Sequence, residues 1–250
     1  MKISQLLTLL VFCFVCIWGG LQYSFNVYQY LPTINVLIED GEGSSSGAVY
    51  TRTTKNGDNI HFVWASAHGI SGILVTDTNI NSPTIKTNEL ALSIPKFLDG
   101  VEVSRVKYFS QLLAYDNKED LALLILKDRN APLGSINFTT SKISVGTPLF
   151  NVGSPYGEHG ISTITKGMLS QIGRPDDDKE YDVASMIALP GISGSAVCIE
   201  NGLCVGIALR NIGGGFLLMY APSRRIEKWA KKMDILWAFD KTVPLPERFN

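Results

Sequence analysis

Surplus charge is what this chain lacks most plainly: 22 lysines and arginines face 23 aspartates and glutamates, for a net charge of −1. No global field therefore draws it to nucleic acid or to an anionic surface, and no nucleic-acid partner is expected. Between Lys2 and Glu39 there is no charged residue at all. No His-Glu-x-x-His run and no paired Cys/His cluster occurs, so metal-dependent hydrolysis has no support and no cofactor is expected. Asp176-Asp177-Asp178 lacks the glycine and glutamate offsets of an EF-hand and reads as an acidic loop. Low-complexity tracts and short-period repeats are also missing. At 250 residues the chain is still long enough for one or two compact domains with real cores.

Cysteine is sparse, at four residues. Cys13 and Cys16 sit in an apolar stretch and read as small hydrophobes. Cys198 and Cys204 flank the turn signal Glu200-Asn201-Gly202 and are a candidate disulfide. A two-residue turn would place them on opposite faces, whereas a three-residue turn with Gly202 left-handed would set them opposite one another. The uncharged N-terminus carries its own message. Leu6 to Trp18 is apolar apart from Thr8, and Ile3 to Leu21 just reaches membrane-spanning length. With Lys2 on its inner side, residues 1–24 read as a membrane anchor, the alternative being a cleaved signal. Either way residues 25–250 are expected outside the cytoplasm.

Aromatic and β-branched residues recur in short runs between Gly, Asn, Asp and Pro turns, which predicts a mostly β protein. Residues 25–42 read as a linker with a leading strand. Strands are expected near Asn35–Asp40, Gly47–Arg52, Ile60–Ala67 and Gly72–Thr76, with more from Leu90 to Leu126. Asp128 to Thr140 reads as a crossing, and a second strand-rich region runs from Ile143 to about Ala221. One helix closes the chain over about 223–238, with Ile226, Trp229, Ala230 and Met233 at helical spacing. Arg224, Arg225, Lys228, Lys231 and Lys232 on its other face read as solvated.

Three segments carry chemistry. Pro190-Gly191-Ile192-Ser193-Gly194-Ser195 sets a serine between glycines just before the strand Ala196 to Ile199. Such a turn holds a hydroxyl clear of its backbone and leaves N–H groups free for an oxyanion. Phe62 to His68 is a β-type run that ends in small residues and a histidine. Asp120 opens the apolar run Leu121 to Leu126. Singly each is weak, since a turn, a structural histidine and a strand cap explain such residues. Together they give the order His68, Asp120, Ser193, one of three unrelated orders known for a single triad geometry. An α/β-hydrolase is excluded, because no histidine follows Ser193 and position 195 breaks its Gly-x-Ser-x-Gly elbow.

Ala65-Ser66-Ala67-His68 resembles the histidine motif of trypsin-like (chymotrypsin-fold) serine peptidases. Tyr115-Asp116 with Asp120-Leu121-Ala122-Leu123-Leu124 resembles the aspartate motif of their bacterial HtrA/Deg branch. Gly146 to Gly157, Thr163 to Ser170, Ile187 to Val197 and Val205-Gly206-Ile207 follow in that branch's order. The likeness covers about Gly43 to Ser223. It implies two six-stranded antiparallel β-barrels, about 43–130 and 140–222, within a peptidase domain spanning 43–250. It also implies a serine endopeptidase acting on exported or misfolded proteins, the alternative being an inactive trypsin-like domain that binds peptides. Twenty-seven residues follow Ser223, so a domain without the branch's PDZ module is expected.

By this resemblance His68 is the base, Asp120 its orienting partner with Asp116 a competitor, and Ser193 the nucleophile. The N–H groups of Gly191 and Ser193 form the oxyanion hole, where one donor is worth on the order of 3 kcal/mol. Ile187 lies at the base of the primary pocket, and Leu209 and Asn211 lie near the substrate backbone. Phe216 and Leu218 narrow the pocket, whose apolar floor favours aliphatic side chains. Ile192 stands where zymogen-activated relatives place an aspartate, so activation by a new N-terminus is not expected. Ser195 stands where glycine is usual, and Trp64 is atypical.

Overall fold

The computed structural model describes residues 25–75, 84–85, 89–98, 101–176 and 178–250. The anchor expected over 1–24, with Cys13 and Cys16, lies outside the described residues. Among the described residues no helix is long and apolar enough to cross a membrane.

The first barrel is built from β1 (Asn35–Glu39), β2 (Ser44–Thr53), β3 (Asn59–Ala65), β6 (Glu89–Leu98), β7 (Val101–Asp116) and β8 (Leu121–Leu126). They close antiparallel in the order β1-β2-β3-β8-β7-β6, while the short β4 (Leu74–Val75) and β5 (Thr84–Ile85) pair on their own. The period-2 rule explains why β3 is apolar on both faces from Phe62 to Ala65 rather than alternating. Val63 and Ala65 pack inside the barrel with Val36, Val49 and Leu124. Ile60, Phe62 and Trp64 point outward, yet they are buried under the C-terminal segment. Both faces are covered, so both faces are hydrophobic.

β9 (Asn137–Phe138) leads to β10 (Pro148–Gly153), β11 (Thr163–Asp176), β12 (Lys179–Ser185), β13 (Ala196–Cys198), β14 (Leu203–Ile212) and β15 (Leu217–Pro222). The last six form the second antiparallel barrel, closed by β13 on β14, and β9 adds in parallel to β14. Leu149, Leu169, Val197, Ala208, Leu218 and Tyr220 fill its interior. The two six-stranded barrels match the expected fold.

Both ends of the described chain depart from expectation. Residues 25–34, read as linker, pack on the second barrel. The one-turn helix α1 (Val27–Tyr30) is capped by the Asn26 side chain and followed by a 3-10 turn. Val27, Leu31 and Ile34 are buried, and Tyr30 donates to Ser135 O at 2.7 Å. The first barrel accordingly begins at Asn35, because β1 pairs with both β2 and β6. At the other end, α2 (Ser223–Lys232) stops short of residue 238, where Asp234 turns left-handed at φ 57°. The remaining residues run back across the first barrel. The Trp64 indole donates to Ala238 O at 2.9 Å, Phe62 stacks edge-on against Trp237, and Arg52 donates to the carbonyls of Trp237 and Val243. Arg225, expected on a solvated face, is buried: it pairs with Glu119 at 2.9 Å and lies over the Tyr181 ring.

Candidate active site

β3 ends at Ala65, and two small residues carry the chain into a 3-10 turn that His68 opens. A side chain at Gly69 would collide with Ser45 and Ser66, so the turn can lie flat against β2 only with glycine there. Asp120 heads β8 from the other direction with φ 54°, a left-handed conformation uncommon outside glycine. That backbone aims its carboxylate at His68. Oδ1 accepts from the His68 backbone N–H at 3.0 Å, and both oxygens lie 2.9 Å from Nδ1. The Asp120 side chain is 8% exposed and that of His68 47%. A carboxylate on Nδ1 fixes the proton there, so Nε2 is left as the acceptor.

Asp116 is placed elsewhere. It accepts from the amides of Lys118 and Glu119, from the Trp229 indole at 3.2 Å and from Lys232 at 3.3 Å. Burial works against its charge, but these donors outweigh burial and hold its carboxyl below the usual range. It ties α2 to the first barrel.

Ser193 sits in a loop whose every turn has a partner. Gly191 and Gly194 are left-handed at φ 98° and 89°. A Cβ on Gly191 would strike Ser154 O, and one on Gly194 would strike Ser46 O. Gly194 N–H donates to Ala208 O on β14, while on the opposite flank Ser46 N–H of β2 donates to Ser193 O, both at 2.8 Å. The Ser46 hydroxyl adds a bond to Gly191 O at 2.7 Å and accepts from Ser154 N–H at 2.8 Å. Tyr156 N–H donates to Pro190 O at 2.8 Å. The serine loop is therefore wedged between the two barrels. Among the described residues, neither the Gly191 nor the Ser193 N–H has an acceptor.

Ser193 and His68 share a cleft of about 450 Å³, which Asn211 also lines. His68 also lines a second cleft of about 350 Å³ with Asp120, Leu209 and Arg210. The Ser193 hydroxyl donates to Leu209 O at 3.2 Å. A histidine of fixed tautomer, a hydroxyl in the same cleft and two unpaired N–H groups are the parts that acyl transfer requires.

Residues 61–207, more than half of the chain, match the family of trypsin-like peptidase domains. The chain belongs to that family. It is 22% identical over 191 residues to the serine protease Do-like HtrA of Lactococcus lactis subsp. lactis (strain IL1403), covering 73% of this chain and 46% of that protein. The chain thus spans less than half the length of the curated relative it matches. Among solved structures it resembles Deg5, with a TM-score of 0.61, 19% identity, and 86% and 94% of the two chains covered. It also resembles a serine endoprotease from Yersinia pestis, with a TM-score of 0.59, 17% identity, and 83% and 65% covered.

Within this trypsin-like framework the unusual residues find partners. The Ser195 hydroxyl is fully buried and accepts from Asn151 Nδ2 at 2.6 Å, so its extra polar group costs nothing unpaired. Ile192 packs into the core of the second barrel. Cys198 and Cys204 pair in register across a bulge beside left-handed Gly202, but as two free buried thiols. Hydrogen bonding to Cys204, together with burial, pushes the Cys198 thiol well up, away from the thiolate.

The residues of the expected pocket are spread between surface and core. Ile187 lines neither cleft around His68 and is 55% exposed, since Ala188 N–H is drawn to Gly215 O and the preceding residue is left at the surface. Leu218 belongs to the interior of the second barrel, and Phe216 is 74% exposed beyond the left-handed glycines 213–215. Ser46, Asn151 and Tyr156, which hold the serine loop, escaped the sequence reading. The signal for Ser46 is the polar run Ser44-Ser45-Ser46 at the start of β2, whereas Asn151 and Tyr156 lie in the run Gly146 to Gly157.

Proposed function

We propose that this domain is a serine endopeptidase of the HtrA type, with Ser193 as nucleophile, His68 as general base and Asp120 as its orienting carboxylate. The observation that carries the reading is the clamp of Asp120 on His68 in a cleft shared with Ser193. In the reaction Ser193 leaves Leu209 O, a neutral hydrogen bond worth about 1 kcal/mol, and donates to His68 Nε2. Its oxygen attacks the peptide carbonyl as the proton passes to Nε2. The tetrahedral oxyanion is received by the N–H groups of Gly191 and Ser193. His68 then returns the proton to the leaving amine, and water repeats the sequence to release the acyl group.

Labelling with a fluorophosphonate probe tests this reading. The wild type should label and cleave casein, and Ser193→Ala should do neither while keeping its fold. A wild type that does not label would overturn it in favour of a peptide-binding domain. The substrates proposed are exported or misfolded proteins, reached by a domain anchored outside the cytoplasm through residues 1–24. The charge-free run from Ile3 to Ile38 supports that placement. Carbonate-washed membranes should retain the chain, and its recovery as a shortened soluble product would point to signal cleavage instead.

A further inference from the structure

Resting on the peptidase reading, we propose that Glu42 selects a lysine or arginine in the part of the substrate that follows the scissile bond. The direction of the substrate comes from the flanks of the serine loop. β14 lies on one side through Ala208 and Leu209, and β2 lies on the other through Ser46. The acyl half of a substrate runs along Leu209 to Asn211, where it can extend the sheet. The leaving half must then continue past His68 on the far side, over Ser44 and Ser45. Ser44 and Ser45 line the cleft that holds Ser193 and His68, and Asp40 and Glu42 line it with them.

The acidic residues there are not equivalent. Asp40 is consumed by the fold: Oδ1 accepts from the amides of Glu42 and Gly43, and Oδ2 from that of Gly72 at 2.8 Å. Glu39, on the same strand, is held by Lys107 at 3.1 Å and by Ser93. Glu42 has no cation among the described residues and is exposed on a turn that Asp40 staples in place. Among the described residues no lysine or arginine lines this cleft. The other cleft around His68 ends on Arg210, which already pairs with Asp176 at 2.8 Å. The free charge along the substrate path is thus negative, and it lies on the leaving side.

Paired quenched-fluorescence peptides, differing only in Lys or Glu two residues after the cleaved bond, test the proposal. The lysine peptide should show a kcat/KM roughly two- to five-fold higher, the range of an exposed ion pair. Added salt should shrink the ratio, Glu42→Gln should bring it to about one, and Glu42→Lys should invert it. Fluorophosphonate labelling carries no leaving-side residues and should be equal in all three proteins. Equal rates for the two peptides, or a ratio unmoved by Glu42→Gln, would overturn the proposal. If the wild type fails to label, the peptidase reading falls instead. Fluorescence anisotropy of the uncleaved peptides then decides the charge preference, and equal affinities reject it.

Discussion

In the first barrel, His68 is fixed by a single carboxylate that bonds both its ring and its own backbone. In the second, the Ser193 hydroxyl holds one bond to a carbonyl, and the loop beneath it is fixed by the opposite barrel through Ser46. The histidine half is preorganised locally; the serine half takes part of its order from its own barrel and part from across the seam. Orientation of a base is worth most when nothing else can supply it, whereas a loop held by several bonds loses them one at a time. The two halves should therefore fail in different ways.

Asp120→Asn attacks the histidine half and should have the largest effect. An amide in place of the carboxylate favours the wrong tautomer, so kcat should drop by about 10^4-fold with little change in KM. Steady-state kinetics on a peptide substrate check it, and a loss under ten-fold would mean that His68 does not depend on this carboxylate. Ser46→Ala attacks the serine half from the other barrel. It strands Gly191 O and Ser154 N–H in a buried seam, at about 2 kcal/mol, and should lower kcat/KM by roughly ten-fold. Urea unfolding and kinetics together would show it. Full activity in this variant would mean that the serine loop does not need the Ser46 hydroxyl and is held well enough by the Ser46 backbone N–H.

The smallest effect concerns His61, seven residues before His68. It is buried with Nδ1 at 2.8 Å from Thr51 Oγ1, and burial holds its pKa below the ordinary 6.5, although Asp128 pulls the other way. The unfolded chain then binds more protons below that value, so stability present above about pH 6.5 is lost as the pH falls. His61→Gln should flatten this loss between pH 7 and 5 in thermal melts. An unchanged pH slope would place the sensitivity elsewhere.

What the sequence made legible follows contiguity. His68 and Ser193 stand at the ends of short motifs, and Asp120 was separable from Asp116 because it heads an apolar strand. The turn between Cys198 and Cys204 left two arrangements open; the structure sets the two residues opposite one another, without a bridge. What stayed hidden depends on contacts between distant segments. Residues 25–34 carry no charge and no long period, so nothing in them announced that Val27 and Leu31 cover the second barrel. Arg225 is indistinguishable from its exposed neighbours until Glu119 and Tyr181 arrive beside it. Ile187 was placed by analogy with a pocket floor. Its actual position follows from Ala188 and Gly215, which no local pattern couples.

Trp64 also bears on how the protein is made. Its ring packs on Trp229, and its indole acceptor is Ala238, 174 residues further along the chain. Phe62 likewise waits for Trp237 and Phe249. A ribosome finishes the first barrel's strands long before it makes these residues. During that interval the outer face of β3, with Phe62 and Trp64, lacks the residues that cover it in the finished fold. The cover of the N-terminal half is thus encoded at the far end of the chain, in residues 229–249.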